Sequence, residues 1–236
     1  MRGRRGKTAK DYRELLRAGR WFAGLPEGLQ DALLDLAQLR ACARREPLFL
    51  RGDAPDGLYG VLEGAVRVSG GDEAGREALF TLVEHPFWFG EISAFDGQPR
   101  THDAVAERES LLAHVPQGPL LALLEREPRH WRSLGLLLTG KLRLSFAWIE
   151  DGALLPLPAR LARRLLLMAE GYGGWDGRQS RVLHVRQEQL ASMLATSRQT
   201  MNGLLGQLAE EGALALVYGG VEIRDLAALR RAAGAG

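Results

Sequence analysis

The chain has 236 residues and a net charge of +2, and 46% of its residues are hydrophobic and 25% charged. This composition is ordinary for a soluble, well-cored protein of one large or two modest domains. No apolar run reaches membrane-spanning length, and no apolar stretch follows the basic start, so no signal peptide is evident. We therefore expect a cytoplasmic protein. The single cysteine, Cys42, excludes an internal disulfide and a cysteine-held metal cluster, and we expect it to be a small core residue on a helix.

Charge is unevenly distributed, and the first predicted element is a basic arm with a short helix over residues 1–24. Residues 1–20 hold eight basic and two acidic side chains, a net +6, whereas residues 21–155 carry −7 and residues 156–236 carry +3. A basic end and an acidic middle predict that the last part, but not the middle, meets nucleic acid. The arm either adds contacts to DNA phosphates or, as is commoner for such a run, is solvated and disordered.

Residues 25–127 predict a helix followed by a β-roll. The helix runs from residue 27 to about residue 39, with leucines on one face. From residue 46 onward, short β-type runs alternate with turn residues, and many short strands at close spacing indicate a roll or sandwich rather than a parallel sheet. These runs are 47–50, 58–62, 65–68, 78–83 and 104–106. A short helix over residues 118–124 closes the domain.

A long helix is predicted over residues 128–152. Pro128 suits its first turn, and Asp151-Gly152 predicts its end. One face is apolar along most of its length, which a second copy of the same helix would cover most economically. We therefore predict a homodimer through this face; the alternative is a helix buried within one chain. The dimerisation stripe consists of Trp131, Leu134, Leu138, Leu142, Ser145 and Ile149.

Residues 153–236 predict a winged helix-turn-helix. A helix over residues 187–194 meets, after a short break, a second helix that begins at Arg198 and is capped by Ser197. Two β-type runs around a glycine turn at 218–220 form the wing, with a further short strand upstream. The whole chain is thus predicted to be an α+β protein with an N-terminal β-roll, a long dimerisation helix and a C-terminal winged helix-turn-helix.

The first turn of the second helix in this unit is polar in the way that reading DNA bases requires. Arginine, glutamine and asparagine donate to and accept from base edges, and the positive end of a helix favours phosphates. The predicted DNA-contacting residues are Gln187, Ser197, Arg198, Gln199, Thr200 and Asn202. The alternative is an ordinary helical corner with a solvated polar face.

The sequence FGEISAFDGQPRT, between two predicted strands, gathers the groups that a phosphorylated nucleoside needs. Gly90 lets the backbone approach a ligand closely. Glu91 can accept a hydrogen bond from a ribose hydroxyl. The start of a short helix at 91–95 offers backbone N–H groups to an anion. Arg100 supplies a fork for a phosphate, with the Thr101 hydroxyl beside it. The alternative is that Glu91 and Arg100 only pair with each other inside the roll.

The order of β-roll, long helix and winged helix-turn-helix resembles the cyclic-AMP receptor protein/FNR (CRP/FNR) family of bacterial transcription regulators. The matching stretches are GDAPDGLY (52–59), VLEG (61–64), FGE (89–91), PRT (99–101), VRQEQLA (185–191) and SRQT (197–200). The resemblance implies a non-enzymatic regulator that binds double-stranded DNA and RNA polymerase and takes a cyclic nucleotide such as cAMP, without a metal. The implied ligand-binding residues are Gly90, Glu91, Ile92, Ser93, Arg100, Thr101 and, toward the purine, Ser145. Arg198 resembles the guanine-contacting arginine of the family.

The sequence departs from the family pattern at four single positions and in one turn, where HPFW (85–88) replaces the usual Pro-Gly-containing turn before Phe89. His102 stands where a small residue usually follows the cassette, and Phe146 follows Ser145 where a second hydroxyl is expected. Gln199 replaces a glutamate and Gly203 replaces an arginine in the DNA-reading helix. These departures predict a changed base-specific end of the nucleotide pocket and a different DNA target, since glutamine prefers adenine.

Two rival functions stay open. The first is a ligand-independent regulator of the same fold, in which the cassette is structural only. The second is a metal-dependent β-roll enzyme with an appended helical domain, which would need clustered ligands on adjacent strands. His85, His102 and His114 lack a close metal-ligand spacing, so the sequence favours the regulator.

Overall fold

The computed structural model describes residues 6–72, 77–173 and 181–234. The chain divides into two compact units, residues 1–69 with 82–142 and residues 70–81 with 143–236. The element order confirms the predicted α+β architecture, with a β domain, a long helix and a helix-turn-helix followed by a wing. In the described part of the chain, no helix has both the length and the apolar character needed to cross a membrane.

The N-terminal segment is folded from Ala9 onward. It consists of a 3-10 helix (Ala9–Tyr12), α1 (Arg13–Arg17), α2 (Arg20–Ala23) and α3 (Glu27–Leu36). Ala9, Tyr12 and Leu16 are buried, and the Phe22 ring stacks on that of Trp88 at 5.5 Å. The expectation of a disordered arm is therefore wrong from Ala9 onward, because apolar side chains recur at helical spacing and join the core. The first five residues of the arm lie outside the described residues.

The β-roll is built from two four-stranded sheets, of order β1-β8-β3-β6 and β2-β7-β4-β5. The elements are β1 (Gln38–Cys42), β2 (Pro47–Phe49), β3 (Gly57–Glu63), β4 (Ala65–Gly71), β5 (Glu77–Glu84), β6 (Trp88–Phe89), α4 (Ile92–Asp96), β7 (Asp103–Ala106) and β8 (Ser110–Pro116). In the antiparallel pair of β3 and β8, Tyr59 lies opposite His114. The short helix α4 joins β6 to β7, so the predicted cassette connects the two sheets.

The sequence patterns miss three strands of the roll, β1, β6 and β8. Strands β1 and β8 pair in register from Gln38 opposite His114 to Cys42 opposite Ser110. The predicted helix end near residue 39 is therefore wrong, since α3 ends at Leu36. The expectation that Cys42 lies on a helix is also wrong, although the side chain is buried as expected. Strand β8 is almost entirely buried, so it lacks the alternation that identifies a half-exposed strand.

The helix α5 (Gln117–Arg126) is followed by the long helix α6 (His130–Leu154). The predicted end at Asp151-Gly152 is wrong, because α6 continues through both residues. A glycine inside a helix costs only about 1 kcal/mol relative to alanine, and the Asp151 carboxylate forms an ion pair with Arg163. The helix stops just before Pro156, which lacks the N–H that would continue the hydrogen-bond ladder.

The second unit contains the predicted helix-turn-helix and wing. Its elements are α7 (Leu157–Ala169), β9 (Val182–Leu183), α8 (Gln187–Met193), α9 (Arg198–Glu210), β10 (Leu214–Val217), β11 (Gly220–Ile223) and α10 (Leu226–Ala232). The strands form one sheet of order β10-β11-β9. Gly220 pairs with Val217, so the turn of the wing is Tyr218-Gly219, one residue shorter than predicted.

Candidate nucleotide and DNA sites

The cassette is built on two glycines whose backbones lie against each other. Gly90, after β6, has a φ of +100°, and a Cβ there would lie 2.6 Å from the carbonyl oxygen of Gly57. Only glycine fits this backbone conformation and this close approach without strain. The guanidinium of Arg100 donates to both carbonyl oxygens, at 3.0 Å to Gly90 and 2.7 Å to Gly57. Arg100 therefore clamps the start of the cassette to the start of β3.

Arg100 is a buried cation that retains one unsatisfied donor. Its side chain is 4% exposed, it forms an ion pair with Asp56, and its guanidinium lies 4.2 Å from the ring centroid of Phe49. Within the described residues, the Arg100 Nε has no hydrogen-bond partner. A buried donor without a partner costs about 1–3 kcal/mol, which a phosphate oxygen could recover.

A partly buried network holds Asp56 in place. The Tyr59 hydroxyl donates to the Asp56 carboxylate, and Arg40 Nη1 donates to the Tyr59 oxygen at 3.0 Å. Burial first, and then the neighbouring Asp56, raise the pKa of Tyr59 far above its usual range, so the hydroxyl remains a donor. Sequence reasoning did not find this network, which positions the carboxylate that Arg100 meets.

Glu91 is buried, and its Oε2 lies 2.6 Å from Nζ of Lys141 on α6. Burial lowers the pKa of Lys141, and Glu91 partly opposes this shift. The alternative in which Glu91 and Arg100 only pair with each other is thus wrong, because each meets a different partner. Sequence reasoning missed Lys141, and no sequence signal singles it out, since Arg132 and Arg143 are cations on the same helix.

The remaining cassette residues surround these two ion pairs. Ile92 is half-buried and Ser93 is buried at the start of α4, whereas Thr101 is exposed. The Thr101 hydroxyl oxygen lies 2.8 Å from Nδ1 of His102. Ser145 is exposed on the part of α6 that belongs to the second unit, so its approach to a purine stays a prediction.

The predicted dimerisation stripe divides into a buried and an exposed part. Leu134 is fully buried in the core of the first unit, Trp131 packs against that core, and Leu138 is half-buried. Leu142 is 50% exposed and Ile149 68% exposed, with Ser145 exposed between them. Leu136, Phe146 and Leu154, which the prediction did not include, are 55%, 62% and 72% exposed. The middle and end of α6 therefore present an apolar face to solvent.

The helix α9, which is predicted to read DNA bases, has one buried and one exposed face, as expected. Met201, Leu205 and Leu208 are buried against the rest of the unit. The exposed polar side chains are Ser197, Arg198, Gln199, Thr200 and Asn202, and Gln187 on α8 is half-buried. An open groove of about 500 Å³ runs between the start of α8, Arg198 and the wing, whose tip Tyr218 is fully exposed. This surface can accept a nucleic-acid backbone beside base-reading side chains.

The predicted cap of α9 is confirmed, because the Ser197 hydroxyl accepts from the Thr200 N–H at 3.0 Å. Replacing Ser197 by alanine is expected to lower the free energy of unfolding by about 1 kcal/mol, since this N–H loses its acceptor. Replacing it by aspartate, the matched control, keeps a side-chain acceptor and should change the free energy of unfolding by only a few tenths of a kcal/mol. Urea unfolding followed by circular dichroism measures both; equal losses would contradict a capping role.

Comparisons with known proteins identify the same two parts of the chain. Residues 39–127 match the family model described as a cyclic nucleotide-binding domain, and residues 159–232 match that of a Crp-like helix-turn-helix domain. The chain is 31% identical over 220 residues to a CRP-like cAMP-activated global transcriptional regulator of Mycobacterium tuberculosis, covering 93% of this chain and 98% of that protein.

Two Thermus thermophilus proteins are similarly close. The chain is 32% identical over 213 residues to the cyclic AMP receptor protein of this organism, covering 90% of this chain and 95% of the relative. A solved transcriptional regulator of the CRP family superposes with a TM-score of 0.65 at 29% identity, covering 83% of this chain and 96% of the other. Similarity therefore extends over both the roll and the DNA-reading unit.

Proposed function

Because the chain belongs to the CRP/FNR family of bacterial transcription regulators, we propose that it is a homodimeric, sequence-specific DNA-binding regulator controlled by a cyclic nucleotide in the β-roll. The observation that carries the proposal is the buried Arg100 clamp, whose Nε lacks a partner among the described residues. The capped, polar first turn of α9 supports the DNA-binding part. Such a protein acts on the genome, in the bacterial cytoplasm.

The residues of the cassette fit a cyclic nucleotide, which when bound supplies an anionic phosphodiester and a ribose hydroxyl. Arg100 and Thr101 hold the phosphate by charge and by donated hydrogen bonds. Glu91, whose Oε2 lies 2.6 Å from Nζ of Lys141, accepts a hydrogen bond from the ribose hydroxyl. Gly90, Ile92 and Ser93 bring backbone groups to the ligand. Ser145 reaches the purine.

On DNA, α9 lies in the major groove. Arg198 donates to a guanine, and Gln199 pairs with an adenine, which gives a target different from that of family members with glutamate there. Ser197, Thr200 and Gln187 contact phosphates. Asn202 extends the polar surface of α9. RNA polymerase is the further protein partner that a regulator of this family meets at a promoter.

A second copy of the chain covers the exposed apolar face of α6. The 50% exposure of Leu142 and the 68% exposure of Ile149 support this, because large apolar side chains rarely stay in water as a continuous face. Two copies present two reader helices to two half-sites of DNA. The effector shifts the population between two arrangements of this dimer.

Selection of bound DNA from a random pool tests this proposal. The pool is incubated with the full-length chain, with or without cAMP, cGMP or cyclic di-GMP. We expect enrichment of a two-fold symmetric site whose half-sites are centred about 10 base pairs apart, stronger with one of the nucleotides. Failure to enrich any sequence under all conditions would overturn the DNA-binding regulator.

A ligand-independent regulator of the same fold is the second candidate. It is favoured by one observation, namely that Arg100 and Glu91 already have partners in Asp56 and Lys141. Isothermal titration calorimetry with the same nucleotides distinguishes the two candidates, since no heat with any of them favours the second. The third candidate, a metal-dependent enzyme, is not supported by the structure. Over residues 6–72, 77–173 and 181–234, no three His, Cys, Asp or Glu side chains lie close enough together to bind a metal ion.

A further inference from the structure

His102 lies at the proposed phosphate site, where the family pattern has a small residue. The centroid of its half-buried ring is 5.8 Å from that of the Phe49 ring. The guanidinium of Arg100 lies 4.2 Å from the same Phe49 centroid. Nδ1 of His102 is 2.8 Å from the hydroxyl oxygen of Thr101. The imidazole therefore contacts Thr101, and it lies against the same Phe49 ring as Arg100.

The hydrogen bond between Thr101 and His102 can run in either direction. If Nδ1 accepts, the hydroxyl hydrogen points at the ring, and only lone pairs of the oxygen face a ligand. If Nδ1 carries a proton, it donates to the oxygen, and the hydroxyl hydrogen is available to a neighbour. An ionised phosphodiester only accepts hydrogen bonds, so its presence favours Nδ1 as a donor, either in the neutral Nδ1–H tautomer or in the doubly protonated imidazolium. A change of tautomer takes up no proton, whereas the negative charge of the phosphate favours the imidazolium and therefore net uptake.

We propose that His102 is a proton-linked contact of the effector phosphate, so that binding of the phosphate draws a proton onto the imidazole. The inference rests on the proposed function, because it needs a phosphate at Arg100 and Thr101. The inference goes beyond the proposed function because it makes the affinity for the effector depend on pH through the His102 side chain.

The charges around His102 give the sign of this dependence. Burial most strongly lowers the pKa of His102, followed by the charge of Lys141; Arg100 also lowers it, whereas Glu91 and Asp103 raise it. The imidazole is thus neutral near pH 7 before the effector binds. A bound phosphate adds a negative charge and raises the pKa. Since the complex then holds more protons than the free protein, affinity rises as pH falls through the pKa of the complex.

Titration calorimetry of the full-length chain with cAMP tests the inference, from pH 5.5 to 8.0 and in buffers of different ionisation enthalpy. We expect net proton uptake on binding and a Kd at least about threefold lower at the acid end, which corresponds to a pKa change of half a unit. His102→Gln should abolish both the uptake and the pH dependence, whatever its affinity. His184→Gln, which changes an exposed histidine of the second unit, should behave as the wild type.

The outcomes separate the inference from the proposed function. Binding of cAMP without proton uptake, or uptake that persists in His102→Gln, overturns the role of His102 and leaves the effector proposal standing. No heat with cAMP, cGMP or cyclic di-GMP at any pH overturns the effector proposal, and the inference falls with it. Absence of uptake in the wild type overturns the inference without any variant, and where His102→Gln fails to fold, His102→Asn is measured in its place.

Discussion

Replacing Arg100 by lysine is expected to weaken cAMP binding at least tenfold while the β-roll remains folded. Lysine keeps the positive charge but not the planar fork, so it cannot hold Asp56 and both glycine carbonyls and also donate to a phosphate. A charge-assisted hydrogen bond contributes about 1.5–3 kcal/mol, which is roughly ten- to 150-fold in Kd for each one lost. Replacement by glutamine removes the charge as well and should weaken binding further.

Calorimetric Kd values and thermal unfolding of the same proteins check this prediction. Arg108→Gln is the matched control, because Arg108 also forms an ion pair and donates to a glycine carbonyl in the roll, but lies outside the cassette. It should bind cAMP as the wild type does. An Arg100→Lys protein with unchanged Kd and unchanged Tm would contradict a phosphate-binding role for Arg100.

A face in solvent makes some elements easy to predict but is not required, since the almost wholly buried β3 and β4 are predicted from the turn residues around them. In α9, the alternation of Met201, Leu205 and Leu208 with polar residues identifies both the helix and its buried face. Strand β8 escapes prediction because both its faces are covered, so its apolar run could equally belong to a buried helix. The end of α6 is misplaced because local stop signals at Asp151-Gly152 are weaker than the helical hydrogen bonds and the ion pair that continue it.

The sequence predicts only those residues of the nucleotide site that lie close together along the chain. The spacing of Gly90, Glu91 and Arg100 identifies the cassette, because all three lie on one connection between strands. Their partners are remote in sequence: Asp56 is 44 positions from Arg100, and Lys141 is 50 positions from Glu91. Only the folding of β3 and α6 against the cassette brings these charges together, and it excludes the simpler pairing of Glu91 with Arg100.

Replacing Arg198 by alanine is expected to cost about 1–3 kcal/mol of specific DNA binding and to leave non-specific affinity nearly unchanged. The side chain is exposed in the first turn of α9, where the Ser197 cap fixes the helix start and the buried Met201 fixes its rotation. A guanine contact from this position is directional and is lost against any other base. The loss should therefore relax preference at one position of each half-site.

Fluorescence anisotropy with the selected duplex, its guanine-substituted variant and a random duplex measures the three affinities. Arg230→Ala, which removes an exposed arginine from α10, is the matched control for the loss of one positive charge. Because phosphate contacts act on all sequences alike, a residue that only meets the backbone would weaken binding to all three duplexes equally. If Arg198→Ala weakens binding to the random duplex as much as to the selected one, then Arg198 contacts phosphates and not a base.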